Sequence, residues 1–184
     1  MEYRKSVAIC HLSELVNAST DPLDLAASTF RHLHDRLGYR RAGILLLREG
    51  ASRPQVYARC PGTLTEAEAT AEMDRVDALL RTERPGVVSM VLDSHRPMVV
   101  NDVSDQIPYL AADPAMRSEA CFPLCADNRC FGVFDVESEE TDKFDWDDFT
   151  LLSAITAQIG QMLARHWPAV DARLAARQAG MTPC

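Results

Sequence analysis

The stretch "SEACFPLCADNRCFGVFDVES", residues 118 to 138, holds three of the chain's six cysteines, Cys121, Cys125 and Cys130. It also carries three carboxylates toward its ends, Glu119, Asp135 and Glu137. Thiols at such spacing serve dithiol redox exchange or metal ligation, or they do no chemistry and pack as small core side chains. Asp135 and Glu137 stand two apart. On a strand they point the same way and form an anionic patch suited to an amine or another hydrogen-bond donor.

The element that carries these residues decides among the chemistries. Asp127-Asn128 between two apolar runs reads as the two-residue turn of a β-hairpin. Cys125 then faces Cys130, with opposed Cβ atoms about 4.5–5.5 Å apart. Strict alternation puts Cys121, Cys125, Cys130, Phe134 and Val136 on one face of the ribbon. Ala120, Phe122, Leu124, Phe131, Val133, Asp135 and Glu137 take the other. Glu119 falls with the cysteines in that scheme, and joins the other acids only if the strand starts late or bulges. Pro123 suits such an irregular strand. A zinc site wants four converging ligands. Cys121 and Cys125 lie about 13 Å apart at strand rise, and no histidine is close in sequence. No metal and no cofactor is therefore expected. A Cys125–Cys130 disulfide is geometrically open but opposed by a reducing compartment. The expectation is that these are core cysteines, turned toward packed helices.

The 184 residues, 47% hydrophobic and 25% charged, suit one soluble domain with a few extra helical turns. No apolar run reaches 18 residues, and "MEYRKSVAIC" lacks the apolar stretch and cleavage site of a signal peptide. A cytoplasmic location is expected. A net charge of −8 opposes a nucleic acid or an anionic membrane as main partner.

Around the hairpin, helical periodicity runs through Val7, Cys10, Leu12, Leu15 and Val16, giving an N-terminal helix within 1–20. Asp21 and Pro22 open a second helix with a stripe of Leu25, Ala26, Phe30, Leu33 and Leu37. "RRAGILLLRE" and "PQVYARC" read as strands, 64–83 as a helix, 85–96 as a short helix or turn before Pro97, and "PMVVNDV" as a strand. A helix follows from an N-cap at Asp145, with acidic residues in its first turn. Pro168 is expected to interrupt it, with a short helix resuming over 169–179. The order implies an α+β fold, an antiparallel sheet with terminal helices on one face. The units are then 1–20 (N-terminal helix), 21–165 (domain) and 166–184 (tail).

"PGVVSMVLDSHRPMVVNDVSDQIPYL", "RSEACFPLCADNRCFGVFDVES" and "KFDWDDFTLLSAITAQIGQML", in that order and spacing, resemble the second half of a GAF domain. The resemblance spans roughly residues 20 to 165. It implies a central antiparallel sheet with N- and C-terminal helices on one face and a ligand pocket on the other, in a sensory module. Within that family the hairpin is most similar to the free methionine-(R)-sulfoxide reductases, through Ser118-Glu119 and "GVFDVES". At the loop position of those enzymes' nucleophile this chain has Ala112, and the helix "GVVSMVLD" has no cysteine. Arg41 and Leu45 stand near the positions of their aromatic ligand-binding residues. The resemblance therefore implies a pocket of Glu119, Phe122, Phe131, Asp135, Glu137, Arg41 and Leu45 without a catalytic residue. The function expected is a stand-alone, non-enzymatic GAF sensor in signalling, binding an amine-bearing small molecule. It is expected to pair as a homodimer through its terminal helices, with Leu12, Leu15, Ile155, Ile159 and Leu163 at the seam, and to act on a separate output protein. The alternatives are a reductase relative with relocated cysteines, and a dimerisation scaffold with a vestigial pocket.

Overall fold

A computed structural model of the chain describes residues 14, 21–39, 41–59, 66–81, 86–104 and 113–178. The elements in chain order are α1 (Pro22–Leu37), β1 (Arg41–Leu46), β2 (Gln55–Arg59), α2 (Glu66–Leu80), α3 (Val87–Ser94), β3 (Met98–Val100), β4 (Ser118–Ala126), β5 (Arg129–Ser138) and α4 (Trp146–Gln178). The strands form one sheet in the order β2-β1-β5-β4-β3, and its pairs are all antiparallel. This is the α+β architecture that the element order implies. The expected N-terminal helix lies outside the described residues, apart from Glu14, which is helical.

Each face of the sheet has its own core. On one, Ala42, Ile44 and Leu46 of β1, Ala120, Phe122 and Leu124 of β4, and Phe131, Phe134 and Val136 of β5 meet Leu25, Phe30 and Leu33 of α1 and Leu151, Leu152, Ile155, Ile159 and Leu163 of α4. On the other, Leu45, Val56, Val100, Cys121 and Val133 meet Val76 of α2 and Val87 and Val91 of α3.

Two local devices set the entry and course of α4. Asp145 accepts a hydrogen bond from the Asp148 amide at 2.8 Å, and the Asp148 carboxylate accepts one from the Asp145 amide at 3.1 Å. That is a reciprocal cap built from two acids. The Asp148 carboxylate also accepts the buried Tyr39 hydroxyl. Farther on, the helix runs unbroken through Pro168, correcting the interruption expected there. Proline lacks an amide hydrogen and crowds the carbonyl four residues back. Here Trp167, Val170 and Leu174 are buried beyond or beside it. Arg173 holds Asp21 bidentately at 2.8 and 2.7 Å, and Arg48 binds Asp171 at 3.0 Å. These attachments fix the last turns against α1 and β1.

Ile155, Ile159 and Leu163 are each at most 2% exposed within the single chain. The chain's own sheet covers them, so they are not free to form the dimer seam assigned to them. Leu12 and Leu15 lie outside the described residues.

Candidate functional site

The site is set by one irregularity in the β4–β5 ribbon. Asp127 and Asn128 both have positive φ, 51° and 61°, as the tight mirror-image turn requires. Ala126 pairs with Arg129 and Cys125 with Cys130, as the turn dictates. The next pair is Leu124 with Gly132, so Phe131 is the extra residue of a β-bulge. Beyond the bulge the register is shifted by one: Phe122 opposes Phe134, Cys121 opposes Asp135, and Glu119 opposes Glu137. A one-residue shift moves every later residue of one strand to the other face.

The consequences correct the strict-alternation scheme. Phe122 and Phe131 lie on the face covered by α1 and α4, against Phe149 and Trp167 respectively, and cannot line a pocket with Asp135. Cys121 turns the other way and sits among the acids, not against α1 and α4. Glu119 joins Asp135 and Glu137, the bulged arrangement that its membership required. Arg41 and Leu45 share that side of β1. Leu45 is in the core under α2 and α3, and Arg41 forms an ion pair with Asp113 at 2.6 Å. Ala112 lies outside the described residues.

Glu119, Asp135 and Glu137 are 4%, 6% and 8% exposed, so three carboxylates are buried together. Among the described residues, one cation meets them in the cluster. Arg59, at the end of β2, donates from Nη2 to Glu137 at 2.6 Å, both side chains being nearly inaccessible. Sequence reading missed Arg59, because β2 and β5 are separated by β1 in the sheet and no local motif couples residues 59 and 137. The Asp135 Oδ1 atom has no hydrogen-bond partner. Burial first, then the charges of Asp135 and Glu137, hold the Glu119 carboxyl well above the usual range. Burial and then Glu137 push Asp135 up to about 7. Carboxylate oxygens of Glu119 and Asp135 lie within 4.8 Å of each other, so ionising both at once is disfavoured. Burial, reinforced by Asp135 and Glu119, raises the Cys121 thiol as well, so it is a poor nucleophile in the empty site.

Glu119, Cys121 and Asp135 each offer one ligand atom, and the three lie within 4.8 Å of one another. One thiol and two carboxylates suit a divalent transition ion in kind, although a closed structural zinc site takes four. Spacing along the sequence does not reveal this set, because its members come together across strands. Beside Glu137 lies a cavity of about 250 Å³, lined also by Gly38, Tyr39, Arg41, Met116 and Lys143. Among the described residues the arrangement has three buried acids, one internal guanidinium and a cavity that adjoins it at Glu137. It can hold a cation or a hydrogen-bond donor.

The empty site sets a pH dependence. A buried carboxyl whose folded pKa is raised stabilises the fold fully below its unfolded pKa, and that contribution is lost as pH rises to the folded value. For Asp135 the window runs from 3.8 to about 7, corresponding to roughly 4 kcal/mol between its two forms at most. The charged groups around it are Glu119, Glu137 and Arg59. The ligand-free protein is therefore expected to lose melting temperature between about pH 4.5 and pH 7.5 by several degrees, and Asp135→Asn is expected to flatten the profile. A parent and variant with parallel profiles contradict the burial of this charge.

The family model described as GAF domain matches residues 19–164. No curated protein matches the chain in sequence. Among solved structures, the chain is similar to the free methionine-R-sulfoxide reductase of Neisseria meningitidis in complex with its substrate. That match has a TM-score of 0.74 at 22% identity, over 90% of this chain and 91% of that one. It is also similar to the GAF domain of the phosphoenolpyruvate-protein phosphotransferase of Acinetobacter, with a TM-score of 0.71 at 15% identity over 90% and 96%. The corresponding domain of Coxiella burnetii gives 0.75 at 11% identity over 91% and 97%. At these identities the likeness concerns the fold.

Proposed function

The chain belongs to the GAF domain family, and on that premise we propose that it is a non-enzymatic sensor domain acting in the cytoplasm. Its ligand is a small molecule with an amine or comparable donor group, held by Glu119, Asp135 and Glu137. One observation carries this reading: among the described residues, three buried carboxylates have one buried guanidinium beside them, and one oxygen of Asp135 has no hydrogen-bond partner. Buried charge without a partner is costly. A cationic ligand removes the repulsion within the cluster and fills the missing hydrogen bond, so affinity and selectivity come from the same groups. The signal leaves through the helices against the sheet, chiefly α4, toward a separate output protein.

A melting-shift screen of amino acids, polyamines, nucleobases and divalent ions tests the reading. Ligand at 100 times its dissociation constant adds about 2.7 kcal/mol, or roughly 5–10 °C for a chain of this size. Shifts by amines are the expected result. Shifts by anions alone contradict it, and shifts by divalent ions alone assign Glu119, Cys121 and Asp135 to a metal instead.

A second reading has one observation in its favour. Cys121 lies among the acids, in a fold shared with a methionine sulfoxide reductase. Free methionine sulfoxide with dithiothreitol as reductant is expected to give no turnover, because the Cys121 thiol is held protonated. Turnover abolished by Cys121→Ser establishes the enzyme.

A further inference from the structure

We propose that Cys125 and Cys130 form a reversible redox modification site, a dithiol that closes to an intramolecular disulfide on meeting a small disulfide oxidant of the glutathione disulfide class. The site lies at the turn end of the ribbon, apart from the acid cluster. Its geometry follows from the hairpin. The pair Ala126↔Arg129 closes the two-residue turn, and Cys125↔Cys130 is the next pair. Antiparallel pairs alternate between hydrogen-bonded and non-hydrogen-bonded slots. The pair beyond a closing hydrogen-bonded pair takes the closer slot, with Cα atoms about 4.5 Å apart. Disulfides form across Cα separations of about 4.4–6.8 Å.

Side-chain direction agrees. Leu124 and Ala126 both point into the α1–α4 core, so Cys125 between them turns to the opposite face, and Cys130, directly opposed to it across the ribbon, shares that face. Both are free and only partly buried, unlike Cys121. Gly160 of α4 packs against the Cys125 backbone, where a Cβ would come within 2.6 Å of its carbonyl oxygen. The β4 side of the pair is thereby held in place. Two cysteines directly opposed on a fixed ribbon need only side-chain rotation to join.

The exchange balances with the oxidant named. The Cys130 thiolate attacks one sulfur of the oxidant and expels the first small thiolate, leaving a mixed disulfide. Cys125 then gives up its proton and attacks the Cys130 sulfur, expelling the second thiolate. The expelled thiolates take up the protons that the two cysteines lose. Two cysteine thiols are oxidised by two electrons, and one oxidant disulfide is reduced to two thiols. Burial and the contact with Cys130 push the Cys125 thiol up to about 12, which suits it to the second step rather than the first. The pair flanks the bulge at Phe131 and Gly132 that fixes the register of the acid cluster, so the modification acts on the ribbon that carries the ligand site.

Trypsin cuts after Arg117, Arg129 and Lys143, which places Cys121 and Cys125 in peptide 118–129 and Cys130 in peptide 130–143. The intact protein is equilibrated with glutathione disulfide, alkylated and digested. The parent and Cys121→Ser are expected to yield the two peptides joined and separable by dithiothreitol, changing from none of the molecules to most of them. Cys125→Ser and Cys130→Ser are expected to yield none joined, with circular dichroism confirming that they are folded. Peptides that stay separate in the parent, that carry only glutathione, or whose joining requires Cys121 overturn the proposal.

Discussion

Gly132→Ala is expected to lower the melting temperature by roughly 10 °C or more. Gly132 sits just after the bulged residue with φ of 153°, in the half of the backbone map that side chains avoid. A Cβ there would lie 2.0 Å from the Leu45 carbonyl oxygen and 2.8 Å from the Leu46 Cα. Both obstacles are backbone of β1, held in the centre of the sheet, and cannot swing aside as a side chain would. Overpacking of this kind costs about 1–3 kcal/mol or more, and the backbone strain about 1–3 kcal/mol in addition. Gly38→Ala is the control, since its φ is also positive, 74°, but nothing lies within 4 Å of a Cβ there. It should lose only the strain. Equal losses at the two glycines would mean that the close approach of β1 to the bulge is not as described. Because the bulge determines which face Glu119 and Cys121 occupy, Gly132→Ala is also expected to abolish ligand shifts in whatever fraction still folds.

Removal of either partner of the Arg59–Glu137 pair has a comparable effect for a different reason. With both side chains nearly inaccessible, Arg59→Met leaves the buried Glu137 carboxylate without its cation, next to Glu119 and Asp135. Glu137→Gln leaves a buried guanidinium facing a neutral amide. Breaking a buried ion pair costs about 3–5 kcal/mol, whereas replacing both partners with apolar residues is often neutral. Denaturant unfolding of Arg59→Met, Glu137→Leu and the double variant is expected to show two large losses and a much smaller combined one. Additive losses contradict the pairing. Asp135→Asn should behave in the opposite sense and stabilise the empty protein at neutral pH. It removes a charge that burial and Glu137 disfavour by more than Arg59 offsets. The two acids of the Asp-Val-Glu motif thus have unequal roles. Glu137 is held by Arg59, and Asp135 keeps one oxygen without a hydrogen-bond partner, the acceptor the proposed ligand would use.

Much of the fold was legible because it follows from local pattern. The stripe of Leu25, Phe30 and Leu33, the apolar run at 42–46, the Asp127-Asn128 turn and the Asp145 cap each specify their element without reference to distant residues. The site was legible only in part. Two acids spaced by two on β5 announced a common face, but the face of β4 depends on the bulge. Phe131 and Gly132 give no unambiguous local sign of it, since the reason for the glycine is the carbonyl of Leu45, more than eighty residues earlier. Hence strict alternation puts Phe122 with the acids and Cys121 away from them, and the reverse holds. Arg59 was invisible for the same reason, its partner lying two strands away. The course of α4 through Pro168 likewise depends on tertiary contacts, those of Trp167, Val170, Arg173 and Leu174, which outweigh the local disposition of proline to end a helix.

The central claim is that the buried carboxylates of β4 and β5 form the recognition site for a donor-bearing small molecule. Isothermal titration of the leading amine from the melting-shift screen into the parent and into Asp135→Asn, at the same pH, tests it most directly. Asp135→Asn keeps the size of the side chain and removes the charge and one acceptor. The expected result is a loss of binding of about tenfold to a hundredfold, equivalent to about 1.5–3 kcal/mol for a charged hydrogen bond, in a protein that melts no lower than the parent. Unchanged affinity in a folded Asp135→Asn protein contradicts the account and assigns the ligand to another part of the molecule.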